Sequence, residues 1–253
     1  MTASGHHETP SPRVPTRRRS IIVAALGALL ALAFLALGIW QIERLQWKLD
    51  LIASVDARIH APPAAPPTAD AFDPAADAYR HVTLRGHWLG DAQTFVQAVT
   101  ELGPGFWVMT PLLREDGPPV LINRGFVPAD RRDAAAPASP QAVATVTGLL
   151  RPTEPGGGFL RSNDAAGDRW FSRDVAAIAA ARGLGPVAPY FIDADATANP
   201  GGFPVGGLTV VTFRNSHLIY AITWFCLAGL VGGATLFVLR DDTRRRAACP
   251  PLP

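Results

Sequence analysis

The sequence is poor in cysteine, methionine and lysine, and each scarcity narrows what the protein can be. The two cysteines are Cys226, inside an apolar run, and Cys249, in the tail that follows it, so a disulfide scaffold is excluded. The region between the apolar runs has no cysteine and one methionine, Met109. This argues against copper delivery, because a copper carrier uses thiolates or thioethers. Lys48 is the only lysine, which together with abundant Ala, Gly and Pro indicates a GC-rich bacterial genome.

Motifs of common enzymes and of nucleic-acid-binding proteins are also missing. The chain has no G-x-S-x-G, G-x-x-x-x-G-K-[ST], H-E-x-x-H or C-x-x-C. The glycines at 156–158 follow a proline and precede no evident helix, so they indicate a turn rather than a phosphate-binding loop. Residues 43–217 hold 15 basic and 18 acidic residues without a basic stripe, which argues against nucleic acid as a partner. We therefore expect neither an enzyme nor a nucleotide cofactor.

Two long apolar runs without charge are the strongest signal in the chain. They cover Ile21–Ile39 and Leu218–Leu239, close to the ~20 residues that a helix needs to cross a bilayer. We predict transmembrane helices over residues 20–42 and 217–239. A cleaved signal peptide is the alternative for the first run. Signal cores are usually shorter, at about 7–15 residues, and this run has no clear cleavage site.

The charges outside the two runs predict an orientation. Arginines crowd residues 13–19 and 240–246, and an excess of Lys and Arg near the ends of membrane spans marks the cytoplasmic side. We therefore expect a disordered cytoplasmic tail over residues 1–19 and a second cytoplasmic tail over residues 240–253. The central region would face the periplasm of a bacterium. The protein would then be a multi-pass protein of the bacterial inner membrane, in contact with lipid.

Small residues recur in both spans. Gly229 and Gly233 form a G-x-x-x-G pair, and Ala24, Ala28 and Ala31 recur on one side of the first span. Such surfaces let membrane helices approach closely, or else they reflect the Ala- and Gly-rich composition. The sequence does not decide between these interpretations. It also leaves open whether the chain forms a homo-oligomer.

The central region predicts an α+β domain. Residues 43–78 first continue the helix to His60 and then form a Pro-rich linker. Beyond the linker, apolar and polar residues alternate as in half-buried strands, and Gly, Pro and Asp clusters separate these strands. Ser172 is a suitable N-cap for a helix that ends near Gly183. We expect a mostly antiparallel sheet or small barrel with one or two helices over residues 79–216. The predicted strands are 80–88, 93–99, 106–113, 120–127, 143–150, 190–194 and 208–213.

The beginning of the second span carries the first candidate site. His217, Tyr220 and Trp224 are separated by three and four residues, so on a helix they share one face. A neutral imidazole is a common ligand of metals and of haem iron, and the two amphipathic rings would suit a flat porphyrin at the membrane surface. Alternatively, His217 caps the helix or anchors it among lipid headgroups. Both interpretations remain open.

The second candidate is an arginine inside an apolar segment. Arg124 lies within Val120–Pro128, where an unpaired charge would be costly to bury. One interpretation is that it binds an anionic group such as a carboxylate or a haem propionate, because its fork suits bidentate pairing. The alternative is a structural ion pair with an aspartate of the same domain, which is the commoner arrangement.

Six short blocks of the sequence occur in an informative order. They are Leu37–Lys48 (LGIWQIERLQWK), Tyr79–Gly86 (YRHVTLRG), Val120–Pro128 around Asn-Arg-Gly, Gly148–Arg151, Trp170–Asp174 and Asn215–Ala228. Taken together they resemble the Surfeit locus protein family, the cytochrome c oxidase assembly factors. The resemblance spans residues 37–239, and six blocks in sequence are far more specific than any single one.

This resemblance implies a membrane protein with two spans and a domain between them outside the cytoplasm, which helps to mature the haem a sites of oxidase subunit I. In bacterial members the histidine that matches His217 is associated with haem a binding, so His217 becomes the expected ligand of the haem iron. For Tyr220, Trp224 and Arg124 the resemblance adds no role, and they remain candidate cofactor contacts on their own chemistry. The expected partners are subunit I and the haem a synthase.

Three hypotheses follow from these observations. The leading one is an assembly factor that binds haem a and presents it to subunit I. The second is a membrane scaffold that stabilises subunit I or the haem a synthase without holding haem, for which His217 would be replaceable. The third is a membrane-anchored enzyme of the envelope, which requires a water-accessible cleft with paired titratable groups in the central domain.

Overall fold

The computed structural model describes residues 17–137, 143–158 and 160–248, and the chain divides into two units. The helix-pair unit comprises Met1–Leu51 and Phe213–Pro253, and the barrel unit comprises Ile52–Thr212. The elements in chain order are α1 (Arg17–His60), α2 (Pro74–Asp77), β1 (His81–Trp88), β2 (Thr94–Thr100), β3 (Gly103–Arg114), β4 (Val120–Pro128), β5 (Val143–Pro152), α3 (Val175–Ala181), β6 (Tyr190–Ala194) and α4 (His217–Ala247).

In the helix-pair unit, two glycines of α1 allow α1 and α4 to approach closely. A Cβ built on Gly27 would lie 2.1 Å from Oγ1 of Thr235, and one built on Gly38 would lie 2.5 Å from the ring of Phe225. Any larger residue at either glycine would therefore push the two helices apart, as at the small-residue contacts of membrane helices.

The predicted small-residue surface of the second span does not face α1. Apart from α4 itself, no heavy atom of the described residues lies within 4 Å of a Cβ built on Gly229 or Gly233. On α1, Ala24 and Ala31 are half-buried whereas Ala28 is exposed. The G-x-x-x-G pair is therefore on the free side of α4.

Both helices are long and apolar enough to cross a membrane, which fits a membrane protein with two spans. They also extend beyond the predicted spans. The first helix is unbroken over 44 residues, from Arg17 to His60, so it includes the predicted helical extension. The second continues to Ala247. The rest of the predicted N-terminal tail and the last residues of the C-terminal tail, with Cys249, lie outside the described residues.

In the barrel unit six strands form one sheet in the order β1-β5-β6-β4-β3-β2, and β1 also pairs with β3. The sheet therefore closes on itself through β1, β5, β6, β4 and β3, and β2 extends it from β3. The pairs are antiparallel except β4 with β6, which is parallel. The predicted α+β class and mostly antiparallel sheet are confirmed.

The central strand β4 is buried on both of its faces, from Val120 to Val127. Successive side chains of a strand point to opposite faces. Accordingly Val120 and Ile122 join the cluster enclosed by the sheet, whereas Leu121 joins a second cluster with Ile178 of α3. Each large apolar side chain buried in this way contributes about 1.5–3 kcal/mol relative to leaving it exposed.

The predicted N-cap of the soluble helix was wrong. The carboxylate of Asp174 caps α3 by accepting a hydrogen bond from the backbone N of Ala177 at 3.1 Å. Ser172 instead accepts from the backbone N of Gly157 at 3.0 Å. A cap must be the residue directly before the first helical residue, and the helix starts at Val175.

The predicted strand at residues 208–213 was also wrong, since the segment has no strand structure. The hydroxyl of Thr209 donates to Oδ2 of Asp193 at 3.0 Å, and Val210 is 69% exposed. Alternating side chains indicate which residues face a core, but they do not supply the neighbouring strand that a ladder requires.

The Pro-rich linker lies against the edge of β1. The backbone N of Ala64 donates to the carbonyl of His81 at 3.1 Å, and the backbone N of Thr83 donates to the carbonyl of Ala64 at 2.9 Å. Farther along, the hydroxyl of Tyr190 donates to the carbonyl of Pro67 at 2.6 Å. These bonds attach the linker to the barrel unit.

Candidate functional site

His217 is the first residue of α4, and its side chain bonds to the other long helix. The backbone N of His217 donates to Oδ1 of Asn215 at 3.4 Å, whereas its ring Nδ1 lies 2.7 Å from Oε1 of Gln41. An amide oxygen can only accept a hydrogen bond, so in the neutral ring an Nδ1 that donates to Gln41 leaves the lone pair on Nε2. The ring does not cap its own helix, and Nε2 has no hydrogen-bond partner among the described residues.

The two predicted aromatic contacts of His217 differ in their surroundings. Trp224 stacks on Phe34 of α1, with ring centroids 5.5 Å apart and an interplanar angle of 25°. It is therefore turned toward the neighbouring helix. Tyr220 remains 54% exposed and is free to contact another molecule.

Two basic side chains of α1 follow Gln41. The guanidinium carbon of Arg44 lies 5.7 Å from the ring centroid of Trp40 and 5.4 Å from that of Trp47. Nζ of Lys48 lies 5.0 Å from the ring centroid of Phe213. Arg44 and Lys48 are three and seven residues beyond Gln41, a spacing that keeps them on nearly the same side of a helix.

In the barrel unit, the backbone of β4 fixes the position of Arg124. The register of β3 and β4 shifts here, and Gly125 adopts φ +135°. A Cβ on Gly125 would lie 2.2 Å from the carbonyl oxygen of Val205, so this bulge requires glycine. The neighbouring Phe126 exchanges backbone hydrogen bonds with Val205 at 2.8 and 2.9 Å. Arg124, directly before the bulge, is only 6% exposed.

Among the described residues, the guanidinium of Arg124 bonds only to uncharged groups. Nη1 donates to Oε1 of Gln93 at 3.2 Å and to the carbonyl of Ala136 at 3.1 Å. Nη2 donates to Oδ1 of Asn199 at 3.2 Å, and the guanidinium carbon lies 5.6 Å from the ring centroid of Trp88. Nε is buried and has no hydrogen-bond partner among the described residues.

The predicted ion pair of Arg124 with an aspartate was therefore wrong. None of the ion pairs among the described residues of the barrel includes Arg124. Burial lowers the pKa of the Arg124 guanidinium, because a charged group is disfavoured away from water. The side chain lines a cavity of about 180 Å³ together with Trp88, Thr145, Thr147, Asp195 and Asn199.

A second buried cluster of the barrel is centred on a carboxylate. Asp193, at 3% exposure, accepts four side-chain hydrogen bonds. Its Oδ1 accepts from Asn123 at 2.7 Å and from Arg173 at 3.0 Å. Its Oδ2 accepts from Arg151 at 2.9 Å and from Thr209 at 3.0 Å. This carboxylate is fully used by the fold.

Arg173 completes the charge balance of that cluster. Its Nε donates to Oε2 of Glu154 at 2.9 Å, and its Nη2 donates to the other oxygen of the same carboxylate. Burial alone would lower the pKa of Arg173, but the carboxylates of Asp193 and Glu154 outweigh burial and raise it. Arg151, Arg173 and Asp193 line a cavity of about 520 Å³, yet their charges compensate one another, so the cluster stabilises the fold.

Comparison with known proteins decides the family. The model of the SURF1 family matches residues 28–229. The chain belongs to the SURF1 family. It is 34% identical over 227 residues to Surfeit locus protein 1 of Rattus norvegicus, covering 83% of this chain and 72% of that protein. It is 35% identical over 232 residues to a SURF1-like protein of Monosiga brevicollis, covering 86% and 87%. It is 34% identical over 211 residues to Surfeit locus protein 1 of Homo sapiens, covering 76% and 69%.

The predicted site residues of this SURF1 member fall into both units. His217, Tyr220 and Trp224 belong to the helix-pair unit and Arg124 to the barrel unit. His217 and Tyr220 are available for contacts, whereas Trp224 is engaged with Phe34. Their role in binding a cofactor stays a prediction.

Sequence reasoning missed Gln41, the partner of His217. The two residues are 176 positions apart, and no periodicity within one helix reports a contact between two helices. A glutamine near the end of an apolar run was the one available signal, because polar side chains in membrane helices usually find a partner on a neighbouring helix.

Proposed function

We propose that this SURF1 family member binds haem a and assists its insertion into subunit I of cytochrome c oxidase. Membership of the SURF1 family supports a role in cytochrome c oxidase assembly and a non-catalytic protein. The observation that carries the haem proposal is the bond between Nδ1 of His217 and Oε1 of Gln41 at the start of an apolar helix. Haem a is here a cargo that the protein passes on.

The chemistry of the His217–Gln41 pair fits a ligand of haem iron. Ligating histidines usually donate their other ring N–H to a neighbouring acceptor, which fixes the tautomer and raises the basicity of the free nitrogen. Gln41 supplies that acceptor, so Nε2 of His217 is the ligating atom in this proposal. The exposed ring of Tyr220 would contact the flat macrocycle.

The acidic groups of haem a also find suitable partners on α1. Propionates are carboxylates, and carboxylates pair with guanidinium and ammonium groups. Arg44 and Lys48 are therefore the expected propionate contacts, because both follow Gln41 at helical spacing. Trp40 and Trp47, which are 47% and 56% exposed, add aromatic surface of the kind that lies at membrane–water interfaces.

The orientation of the protein is part of the same proposal. The arginines beyond both helices favour termini in the cytoplasm and a barrel unit on the opposite side, which is the periplasm if the chain is bacterial. His217 and Gln41 then lie at the outer surface of the inner membrane. The proposed partners are subunit I and the haem a synthase, each of which would bind the helix-pair unit.

An optical spectrum tests the haem proposal directly. The detergent-purified protein, co-expressed with haem a biosynthesis, is compared with its His217→Ala, Gln41→Ala and His60→Ala variants. The parent and His60→Ala, a matched change at an exposed histidine, should show a haem a band. The band should be absent from His217→Ala, and Gln41→Ala should bind haem about 10–100-fold more weakly, as for other acceptors of ligating histidines.

The second candidate is a scaffold that stabilises subunit I or the haem a synthase without holding haem. The open space beside Gly229 and Gly233 favours it, because small-residue faces pack against other membrane helices. A preparation that is equally colourless with and without His217, while both forms support oxidase assembly, would contradict the haem proposal and favour the scaffold.

A further inference from the structure

Arg124 keeps two of its hydrogen-bond donors unused. A guanidinium has five N–H groups. In Arg124 two bonds from Nη1 and one from Nη2 use three of them, while Nε has no partner among the described residues. Among the described residues Nε–H and one Nη2–H therefore have no partner, and Nε and Nη2 are the two nitrogens of the edge that pairs side-on with a carboxylate.

Arg173 shows what this edge does in the same barrel unit when a carboxylate is present. Its Nε and Nη2 donate to the two oxygens of Glu154, and its Nη1 donates to Asp193. Arg124 is buried and the side chain of Arg173 is 12% exposed, and both bond through Nη1. They differ in that the described residues supply a carboxylate to the Nε–Nη2 edge of Arg173 and none to that of Arg124.

We propose that Arg124 is the anchor of a binding site for the carboxylate of a short-stemmed organic acid. The cavity of about 180 Å³ beside it is smaller than the ~300 Å³ at which pockets for drug-sized ligands begin, so it admits a carboxylate with a short stem and excludes a porphyrin ring. The site belongs to the barrel unit and does not depend on the haem proposal.

The lining of the cavity matches this ligand. Thr145 brings a hydroxyl group and Trp88 an apolar face, whereas the hydroxyl of Thr147 already donates to Oγ1 of Thr83 at 3.3 Å. One small molecule could therefore bond to Thr145 through its head and pack against Trp88 through its stem. One carboxylate also neutralises one guanidinium. A phosphate dianion would leave an excess negative charge close to Asp195, which lines the same cavity.

Asp195 is the carboxylate of this chain that competes with the proposal. Its Oδ1 accepts from the backbone N of Thr197 at 2.9 Å, and it makes no ion pair with Arg124. Its charge repels a bound carboxylate, so Asp195→Asn should tighten binding of the acid. If Asp195 instead compensated the charge of Arg124, each of the two side chains would stabilise the other.

The test uses the full-length protein in detergent, with acetate as the probe. Thermal unfolding is followed at increasing sodium acetate, against sodium chloride at the same concentration and pH. Acetate should raise the unfolding temperature of the parent above its value in chloride, because a ligand that binds the folded state stabilises it. It should also change the fluorescence of Trp88, a change that Trp88→Phe removes.

Variants assign the effect to the guanidinium. Arg124→Lys keeps the charge but loses the fork, so the affinity for acetate should fall by at least about tenfold. Arg124→Met should abolish the acetate effect. Arg182→Met is the matched control, since it removes an arginine that is paired with Asp168 at 2.6 Å, and it should retain the full response.

Three results would overturn the carboxylate site. The first is an unfolding temperature of the parent that is equal in acetate and chloride. This measurement uses the parent alone, so it does not depend on whether any variant folds. The second is an equal response in Arg124→Met. The third is a thermodynamic coupling between Arg124→Met and Asp195→Asn in a double-mutant cycle, which would show that the chain fills the site itself. None of these results bears on the haem spectrum.

A series of acids distinguishes the two sources of such a carboxylate. Acetate, propionate and butyrate carry the same head on longer stems. Affinity that falls beyond acetate would identify a free small acid as the ligand. Affinity that rises along the series would identify the carboxylate end of a longer molecule that reaches into the cavity from outside.

Discussion

Arg173 and Arg124 are two arginines of one barrel with little exposure to water, and they are compensated in different ways. Arg173 lies between the carboxylates of Glu154 and Asp193, which raise its pKa against the effect of burial. Arg124 bonds to two side-chain amides and one backbone carbonyl, and burial lowers its pKa. The first cluster is electrically complete within the chain, whereas the described groups that bond to the guanidinium of Arg124 are all uncharged.

The difference shows why a buried charge alone does not identify a binding site. Moving two charges out of water is expensive, and their attraction recovers that energy only when the geometry and the remaining hydrogen bonds are good. The Asp193 cluster meets this condition, because four donors meet one carboxylate. Around Arg124 the neutral acceptors recover only part of the cost, so an external anion would gain binding free energy there.

The largest loss of stability should come from removing the carboxylate of Asp193, which Arg151 and Arg173 share. Asp193→Asn keeps the shape of the side chain but takes from Arg151 and Arg173 the buried charge that both contact, so that Glu154 is the one carboxylate they still share among the described residues. We expect the free energy of unfolding to fall by about 3–5 kcal/mol, as when one member of a buried ion pair is deleted. Urea unfolding measures this change. Asp116→Asn, at a carboxylate that is 74% exposed, is the control and should change stability by less than about 1 kcal/mol.

A substitution that strains the backbone next to Arg124 should lower stability without removing any charge. Gly125→Ala places a Cβ at 2.2 Å from the carbonyl oxygen of Val205 and strains a φ of +135°. We expect a loss of about 2–4 kcal/mol, from the strained backbone together with the loss of the paired Phe126–Val205 hydrogen bonds. Gly103→Ala is the control, because it has positive φ but open space around it. Equal losses in the two variants would contradict the role of close approach at Gly125.

Replacing Arg173 or Arg124 by methionine tests whether the two guanidiniums are compensated differently. Arg173→Met removes a partner of the buried Asp193 and leaves Glu154 with Arg151 alone, at 3.5 Å, so it should lower the free energy of unfolding by about 3 kcal/mol. Arg124→Met removes an uncompensated charge and leaves only neutral acceptors without a donor, so its cost should be about 1 kcal/mol. Both are measured by urea unfolding in chloride buffer. Equal costs would mean that Arg124 is compensated as well as Arg173.

Length and periodicity were sufficient for most elements of this fold, but not for α2 or for the long-range contacts. The apolar runs predicted both long helices, and alternation predicted the six strands that form, because these signals depend on local sequence. The same alternation failed at residues 208–213, where no neighbouring strand is available. Closure of the sheet through β1 and β3 depends on residues far apart in the chain, which no local pattern reports.

The candidate sites likewise combine local features, which the sequence predicts, with long-range contacts, which it does not. His217 was predictable because it stands at the boundary of an apolar run, a property of local sequence. Its bond to Gln41 was not, since the two residues meet only when two helices pack. Arg124 was recognised as unusual within an apolar segment, but its compensation was assigned wrongly. Which side chains surround a buried charge is decided by the tertiary fold.

The pair of Asp77, which is buried, and Arg80, whose side chain is 36% exposed, should give the smallest effect and completes the comparison. Oδ1 of Asp77 accepts from Arg80, Oδ2 accepts from the backbone N of Asp73 at 2.9 Å, and the charge of Arg58 is near. Burial alone would raise the pKa of Asp77, but these partners outweigh it and lower the pKa below its ordinary value. The carboxylate therefore adds stability above about pH 4, and this stability is lost as the pH falls through the lowered pKa.

The Asp77→Asn variant should reveal this contribution in acid. The difference in free energy of unfolding between the parent and Asp77→Asn should be less than about 1 kcal/mol at pH 7 and should shrink as the pH falls below about 4. Urea unfolding at several pH values measures it, with Asp70→Asn at an exposed carboxylate as the control. A difference that grows in acid would contradict the direction of the pKa shift. Because Arg80 keeps access to water, this pair should respond more weakly than the Asp193 cluster, and the strength of each pair should follow its burial.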